Sequence, residues 1–436
     1  MIEILKILRI AGESRQSNLY EEDREQALAI LNWQKETLAK AKQANEPLVP
    51  TVQVLSDYIT CDKGNNMARM YASQMLTEAK LEWFVFENIG EWLICINYVV
   101  QRAPNFSPSQ DHFPLSKLFV FFMFTLSGAT LFRLKEFNVL LTYVLQTWCT
   151  YLDSPASKNV LNPTGAIPAT EGWLSPDGQG DFCLSQCVNY ANRNTEAYWG
   201  FTSYNDFFHR AIDLNLRPID NNDKTIVSAN DGTVYRIANN VEKCAEFWTK
   251  GQDYSLIDML DNSKYTTPFI GGDVVQSFLD GSDYHRWHAP ISGQIVEVKV
   301  IQGLTFSELL SQGLDLSAGT ESQGYEATVN TRGLIIIQGE GTNSMVAVIP
   351  TGITEISSIH IHEKIFKGAY VEKGEELGYF SYGGSSMALV FAKGMIKEFL
   401  IKEQAKDTNI PPCKTTRDCH PQDGCLIMGS AIAVAN

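Results

Sequence analysis

At 436 residues the chain is long enough for two domains, taking ~100–200 residues for each, and its 44% apolar content is that of a globular protein with a sizeable core. A net charge of −15 works against a nucleic-acid surface and against broad adhesion to anionic lipid. Nine cysteines in an odd, scattered set suit a reducing compartment, and the location expected is cytoplasmic.

The N-terminus, Met1 to Ile10, carries charges inside its apolar run and makes a poor signal peptide. Glu22 to Ala41 is rich in Ala, Leu, Glu and Lys and predicts a helix. Met67, Met70 and Tyr71 share one helical face. The apolar run 118–132 lies between Lys117 and Arg133 and falls short of the ~18 residues of a spanning helix. It reads as a buried core helix, with a membrane-associated hairpin as the alternative. Phe137, Leu140, Leu141, Val144, Leu145, Trp148 and Leu152 repeat at the spacing of an amphipathic helix over 135–152. Residues 153–180 are dense in turn sequences such as Asn162-Pro-Thr-Gly and Ser175-Pro-Asp-Gly, which places a boundary or long loop there. Ser203 and Asp206 resemble a capping box before a short helix with Phe207 and Phe208.

From about residue 225 the pattern changes to strands. Ile226 to Gly232 ends in an Asp-Gly turn. Ile295, Val298 and Val300 mark a strand, and Leu334–Ile337 and Met345–Ile349 are unbroken apolar runs of the kind covered on both faces. Val371 to Gly378 reads as a turn between strands. It leads into Gly383-Gly384-Ser385-Ser386 and then the strand-like Met387–Phe391. The fold class is therefore α+β: a helical N-terminal domain, 1–180, followed by a β-rich domain, 181–436.

Three stretches can carry chemistry. Gly-Gly-Ser-Ser is a common turn composition. It can also do more: glycine removes the Cβ that would shield its carbonyl. Ser385 can then attack the Gly384 carbonyl, turning an amide into an ester whose elimination splits the chain and leaves a pyruvoyl group, an electrophile that serves as a cofactor. In Asp283-Tyr-His-Arg-Trp-His-Ala-Pro290, His285 and His288 could be half of a metal site, two histidines satisfied in a core, or acid/base groups. Asp231 is a turn aspartate or the group that orients a histidine. Elsewhere, His360-Ile-His362 could face a metal or sit on an exposed edge. Cys413, Cys419, His420 and Cys425 read as zinc ligands or as a loop. Cys183 and Cys187 read as two faces of one helical turn or as ligands.

Taken together, Phe201-x-Ser203-x-x-x-Phe207-Phe208-x-Arg210, Asn230-Asp231-Gly232, Asp283-Tyr-His-Arg-x-His-x-Pro290 and Gly384-Ser385-Ser386 resemble, in order, the motifs of the self-processing phosphatidylserine decarboxylases. Serine replaces threonine in the last motif, and asparagine replaces alanine in the second. The Tyr198 to Phe208 segment, the Tyr-His-Arg-Trp-His-Ala-Pro run and Gly-Gly-Ser-Ser are most similar to the soluble fungal L-tryptophan decarboxylases of the psilocybin type.

The resemblance implies that Ser385 attacks Gly384 and becomes the pyruvoyl group, giving a β chain ending at Gly384 and an α chain of residues 385–436 that stay associated. His288, oriented by Asp231, would be the base for cleavage, and His285 would give the proton in decarboxylation. Catalysis would pass through a Schiff base with the substrate amine, so neither a metal nor pyridoxal phosphate is required. The implied substrate is a free aromatic amino acid such as tryptophan, with Tyr284 and Trp287 lining its pocket. Phosphatidylserine is the alternative substrate, and an uncleaved binding protein the alternative of another class. No nucleic-acid partner is expected, and the oligomeric state stays open.

Overall fold

The computed structural model describes residues 16–61, 64–80, 85–106, 113–245, 254–309, 322–340, 344–356, 358–405 and 418–436. The N-terminal run Met1–Ile10 and Cys413 lie outside them.

Helices come first: α1 (Gln16–Ala44), α2 (Pro50–Thr60), α3 (Asn66–Lys80), α4 (Ile89–Val99), α5 (Pro114–Met123), α6 (Leu126–Leu131) and α7 (Lys135–Leu152). The apolar repeat of α7 buries Phe137, Leu141, Val144, Leu145, Trp148 and Leu152. At ~1.5–3 kcal/mol for each large apolar side chain taken from water, this face supplies most of the reason the helix packs. In α3 the buried face is Ala68, Ala72, Met75 and Ala79, so Met67 and Met70 point outward. The run 118–132 is mostly buried, with Leu126 exposed, but is not one helix. It breaks at Phe124–Thr125, where the Thr125 side chain accepts from Gly128 N and caps α6. Among the described residues no helix is long and apolar enough to cross a membrane.

After α8 (Pro176–Asp181), the Ser203 hydroxyl accepts from Asp206 N and caps α9 (Tyr204–Phe208), while the Asp206 carboxylate accepts from Thr202 N. The helical core runs on to Phe208 and takes in Phe306 and Tyr382 from the second half of the chain.

The strands are β1 (Thr225–Val227), β2 (Gly232–Ala238), β3 (Asp273–Leu279), β4 (Arg286–His288), β5 (Gly293–Ile301), β6 (Arg332–Gln338), β7 (Met345–Thr354), β8 (Ile359–Ile361), β9 (Tyr370–Val371), β10 (Glu376–Phe380), β11 (Gly384–Phe391), β12 (Ile396–Phe399), β13 (Cys425–Leu426) and β14 (Ala431–Ala435). Eight form one antiparallel sheet in the order β13-β2-β3-β11-β7-β6-β5-β9, and two three-stranded sheets, β1-β14-β12 and β4-β10-β8, flank it. Short helices α10 (Leu256–Met259) and α11 (Gln323–Val329) pack against each other, and α11 also lies on β7 and β11. The uninterrupted apolar strands β6 and β7 are buried nearly throughout, as their sequences require of strands covered on both faces. β11 sits between β3 and β7 and is buried at every residue. The architecture is α+β, with a helical layer ahead of a β-rich part.

Candidate active site

Gly384 and Ser385 open β11 rather than forming a turn before it. The register with β7 slips here: Gly384 faces Thr354 and Ser385 faces Gly352, leaving Ile353 as the extra residue of a bulge. Bulges interrupt the ladder and re-aim side chains. Just before it, Gly383 has φ +146°, and a Cβ there would sit 2.4 Å from Ile356 N. Only glycine fits that backbone against the Glu355–Ile356 segment. Glu355 is itself left-handed at φ +56°, and its carboxylate accepts from Ser116 N in the first turn of α5. Tyr382 N donates to Asn205 Oδ1 at 3.2 Å, and the Tyr382 ring meets Trp148, Tyr204 and Phe208 at 5.2, 5.5 and 5.2 Å. The chain is thus gripped by the helical layer just ahead of the Gly-Ser pair.

The two serines differ. Ser386 Oγ donates to Ser277 O at 3.1 Å and accepts from Gln276 Nε2 at 2.9 Å. Ser385 Oγ is fully buried and has no hydrogen-bond partner among the described residues. A buried hydroxyl left unpaired costs about 1–3 kcal/mol, and such costs persist at functional sites.

The aspartate and histidine motifs run side by side, since His288 N donates to Ala229 O at 2.8 Å. The hydrogen bond expected from Asp231 to His288 is not made. Arg217 holds the Asp231 carboxylate at 2.8 and 3.4 Å, and Met428 N donates to it at 2.8 Å, all in a buried setting. A guanidinium satisfies a buried carboxylate with two bonds where an imidazole offers one. Asp231 therefore reaches His288 through its field, which raises the histidine pKa against the stronger lowering by burial. His288 Nδ1 donates to Gly374 O at 2.9 Å. Burial keeps the ring neutral, so Nε2 is the basic nitrogen, and the Tyr284 hydroxyl donates to it at 3.0 Å. The His285 ring stacks on Phe208 at 3.9 Å, and its carbonyl accepts from Phe380 N at 3.0 Å, five residues ahead of Ser385.

A cavity of about 270 Å³ reaches Gly384, between the helical layer and the sheet. Its walls include Phe113 and Ser116 at the start of α5, Phe278 of β3, Phe306, Glu308, and Glu326 of α11. Tyr284 and Trp287, expected to line the pocket, do not. Tyr284 is spent on His288, and Trp287 is fully buried with its ring over Gly378. Glycine at 378 is what admits that ring, because a Cβ there would lie 2.5 Å from it. A larger cleft of about 440 Å³, lined by Trp33, Lys40 and Arg102, lies in the helical layer away from Gly384.

Two regions of the chain match family profiles, both described as phosphatidylserine decarboxylase: residues 204–408 and residues 49–182. The chain is 32% identical over 299 residues to the decarboxylase iboD of Amanita muscaria, covering 64% of this chain and 83% of that protein. The chain belongs to the phosphatidylserine decarboxylase family. It is also 28% identical over 340 residues to the L-tryptophan decarboxylase of Psilocybe cubensis, 72% of this chain and 75% of that one. A phosphatidylserine decarboxylase proenzyme of Fusobacterium nucleatum is 31% identical over 197 residues, 45% of this chain and 62% of that one. The protein is a carboxy-lyase of this family acting on a small-molecule substrate, and its similarity to the fungal enzymes extends into the helical part.

Other features of this decarboxylase settle into structural places. His360 Nε2 contacts the hydroxyls of Ser358 and Ser381, and His362 Nε2 meets Glu376 Oε1 at 2.7 Å. Cys419 and Cys425 form a disulfide rather than a zinc site, and Cys183 is also disulfide-bonded. Sequence reading missed Arg217 as the partner of Asp231, although it lies a short way beyond Arg210 of the Phe-rich motif. It also missed Glu326, Glu355 and the three cavity phenylalanines, which lie in segments with no motif of their own.

Proposed function

We propose that the chain cuts itself between Gly384 and Ser385, and that the two-chain product decarboxylates a free aromatic L-amino acid of the tryptophan type. The observation that carries this is the buried, unpartnered Ser385 hydroxyl, which follows a glycine on a bulged strand beside a cavity. Ser385 Oγ adds to the Gly384 carbonyl and the peptide C–N bond breaks, giving an ester and a free amine at residue 385. Loss of the Cα proton expels Gly384 as a carboxylate, and water replaces the amine, which leaves as ammonia. The residues fit the resulting pyruvoyl group. Gly384 lines the cavity, so a ketone formed at 385 would stand next to it, with Ser386 anchored through Gln276 and Ser277. Such a ketone holds a substrate amine covalently and takes up the electron pair released with CO2.

We assign His288, neutral and held by Tyr284 and Gly374, as the base for cutting. His285, on Phe208 beside the strand that leads to Ser385, is assigned the proton returned to the substrate carbon. The aromatic substrate is supported by the cavity. At about 270 Å³ with phenyl walls it is near the ~300 Å³ lower end of small-molecule sites, the size of one amino acid rather than a diacyl lipid. Net charge works the same way, because −15 is repelled by anionic membranes. The likeness to L-tryptophan decarboxylases points in that direction too. The test is CO2 release by the purified, processed protein from tryptophan, phenylalanine and tyrosine without lipid, against phosphatidylserine in vesicles. Turnover of phosphatidylserine alone would overturn the substrate assignment.

A further inference from the structure

The cavity beside Gly384 is lined by a buried carboxyl group, Glu326, one of whose oxygens has no hydrogen-bond partner among the described residues. Glu326 projects from α11, is 1% exposed, and lines the cavity. Its Oε2 is buried and has no hydrogen-bond partner among the described residues. A carboxyl group in that setting is expensive and is rarely kept without a use. Two neighbouring hydroxyls are paired. Ser307 Oγ meets Tyr325 OH at 2.9 Å, and Ser116 Oγ contacts Thr354 Oγ1. The wall also carries three aromatic rings, Phe113, Phe278 and Phe306, alongside the polar Glu308 and Thr354.

We propose that Glu326 is the specificity residue of this site, and that it accepts a hydrogen bond from a donor on the substrate's aromatic ring, such as an indole N–H. The inference rests on the free aromatic amino acid reading above and narrows it. Phenyl walls select a planar ring by stacking and edge contacts. An oxygen among them selects a ring with a donor at its rim. Burial, with Glu308 adding to it, pushes the Glu326 pKa well above the usual carboxyl range. Its carbonyl oxygen accepts a hydrogen bond whether or not the group is protonated, so a donor on the ring is satisfied in both states. A ring with only an acceptor is satisfied in one of them. A ring with neither, such as a phenyl, leaves the carboxyl unpaired, and sites built to pair with a substrate N–H or O–H reject analogues that lack it.

The experiment compares kcat/KM for tryptophan, 1-methyltryptophan and phenylalanine in wild type, Glu326→Gln and Glu326→Leu, each normalised to the processed fraction on a gel. Wild type should prefer tryptophan over 1-methyltryptophan by about tenfold to a hundredfold. Glu326→Leu, close to glutamate in size, should lose that preference by losing activity on tryptophan, mainly in kcat/KM, while activity on 1-methyltryptophan stays or rises. Glu326→Gln keeps an acceptor oxygen and should retain most of the preference. A preference unchanged in Glu326→Leu would mark discrimination by bulk and overturn the assignment. A wild type that treats the two tryptophans alike overturns it with no variant needed, so a poorly folding variant does not protect the idea. A wild type inert to every free aromatic amino acid but active on phosphatidylserine vesicles overturns the underlying reading instead.

Discussion

Replacing Gly383 by alanine tests whether the backbone ahead of the scissile bond is held in a conformation that only glycine can adopt. Its φ of +146° is outside the range of L side chains, and the added Cβ would lie 2.4 Å from Ile356 N and 2.6 Å from Glu355 C and Ile356 Cα. All three are backbone atoms, so no rotamer change relieves the clash. A forced conformation of this kind costs ~1–3 kcal/mol and overpacking a further ~1–3 kcal/mol. The chain escapes by moving 383–385 off β7, which carries the Gly384 carbonyl away from Ser385 Oγ. At about 1.4 kcal/mol per factor of ten, a cost of about 3–4 kcal/mol reduces the cutting-competent population by about 10²–10³. Gly394→Ala is the control: φ is also positive at +75°, yet a Cβ there meets nothing within 4 Å. The assay is the time course of processing on denaturing gels, with a thermal melt to show that each variant is folded. Gly383→Ala that folds and is cut at the wild-type rate refutes the reasoning.

Asp231→Ala strands the buried Arg217 guanidinium and should cost about 3–5 kcal/mol in a denaturant or thermal melt, while Arg217→Met with Asp231→Leu together costs much less; equal losses would show that the pair is not the cause. Glu326 has its pKa raised above the ordinary 4.5 by burial, so the native state keeps a proton that the unfolded chain releases above that pH. The stability it gives is complete below about pH 4.5 and is lost as pH rises through the folded value. Glu326→Gln should therefore gain Tm on wild type as pH rises above about 4.5, and a constant gap contradicts this. His288→Ala should block cutting, whereas His285→Ala should still be cut, at least in part, and decarboxylate poorly; if both mature normally with full turnover, the roles are wrongly assigned.

Much of the frame was legible in the residues because it rests on local periodicity. The 135–152 repeat and the apolar runs 334–337 and 345–349 declare a helix and two buried strands, and the structure places them there. Apolarity hid the break in 118–132, where a Thr-x-x-Gly cap is easily overlooked among phenylalanines. Gly-Gly-Ser-Ser could be recognised as unusual, but not as part of a central strand, since a bulge exists only relative to the register of β7. Asp231 does lie next to the histidine motif, through the bond from His288 N to Ala229 O, but its side-chain partner is Arg217, which no local pattern declares. The cavity is the least legible part. Phe113, Phe278, Phe306 and Glu326 come from four separate segments, and nothing local in the sequence says that they meet at Gly384.

The central claim is that Ser385 becomes the reactive group by breaking the chain. Intact-mass measurement of the purified wild type, alongside Ser385→Ala, tests it most directly. Wild type should yield two species, residues 1–384 and residues 385–436, the second lighter by one ammonia than simple hydrolysis would leave it, while Ser385→Ala stays whole and inactive. A single full-length species that releases CO2 from its substrate would contradict it.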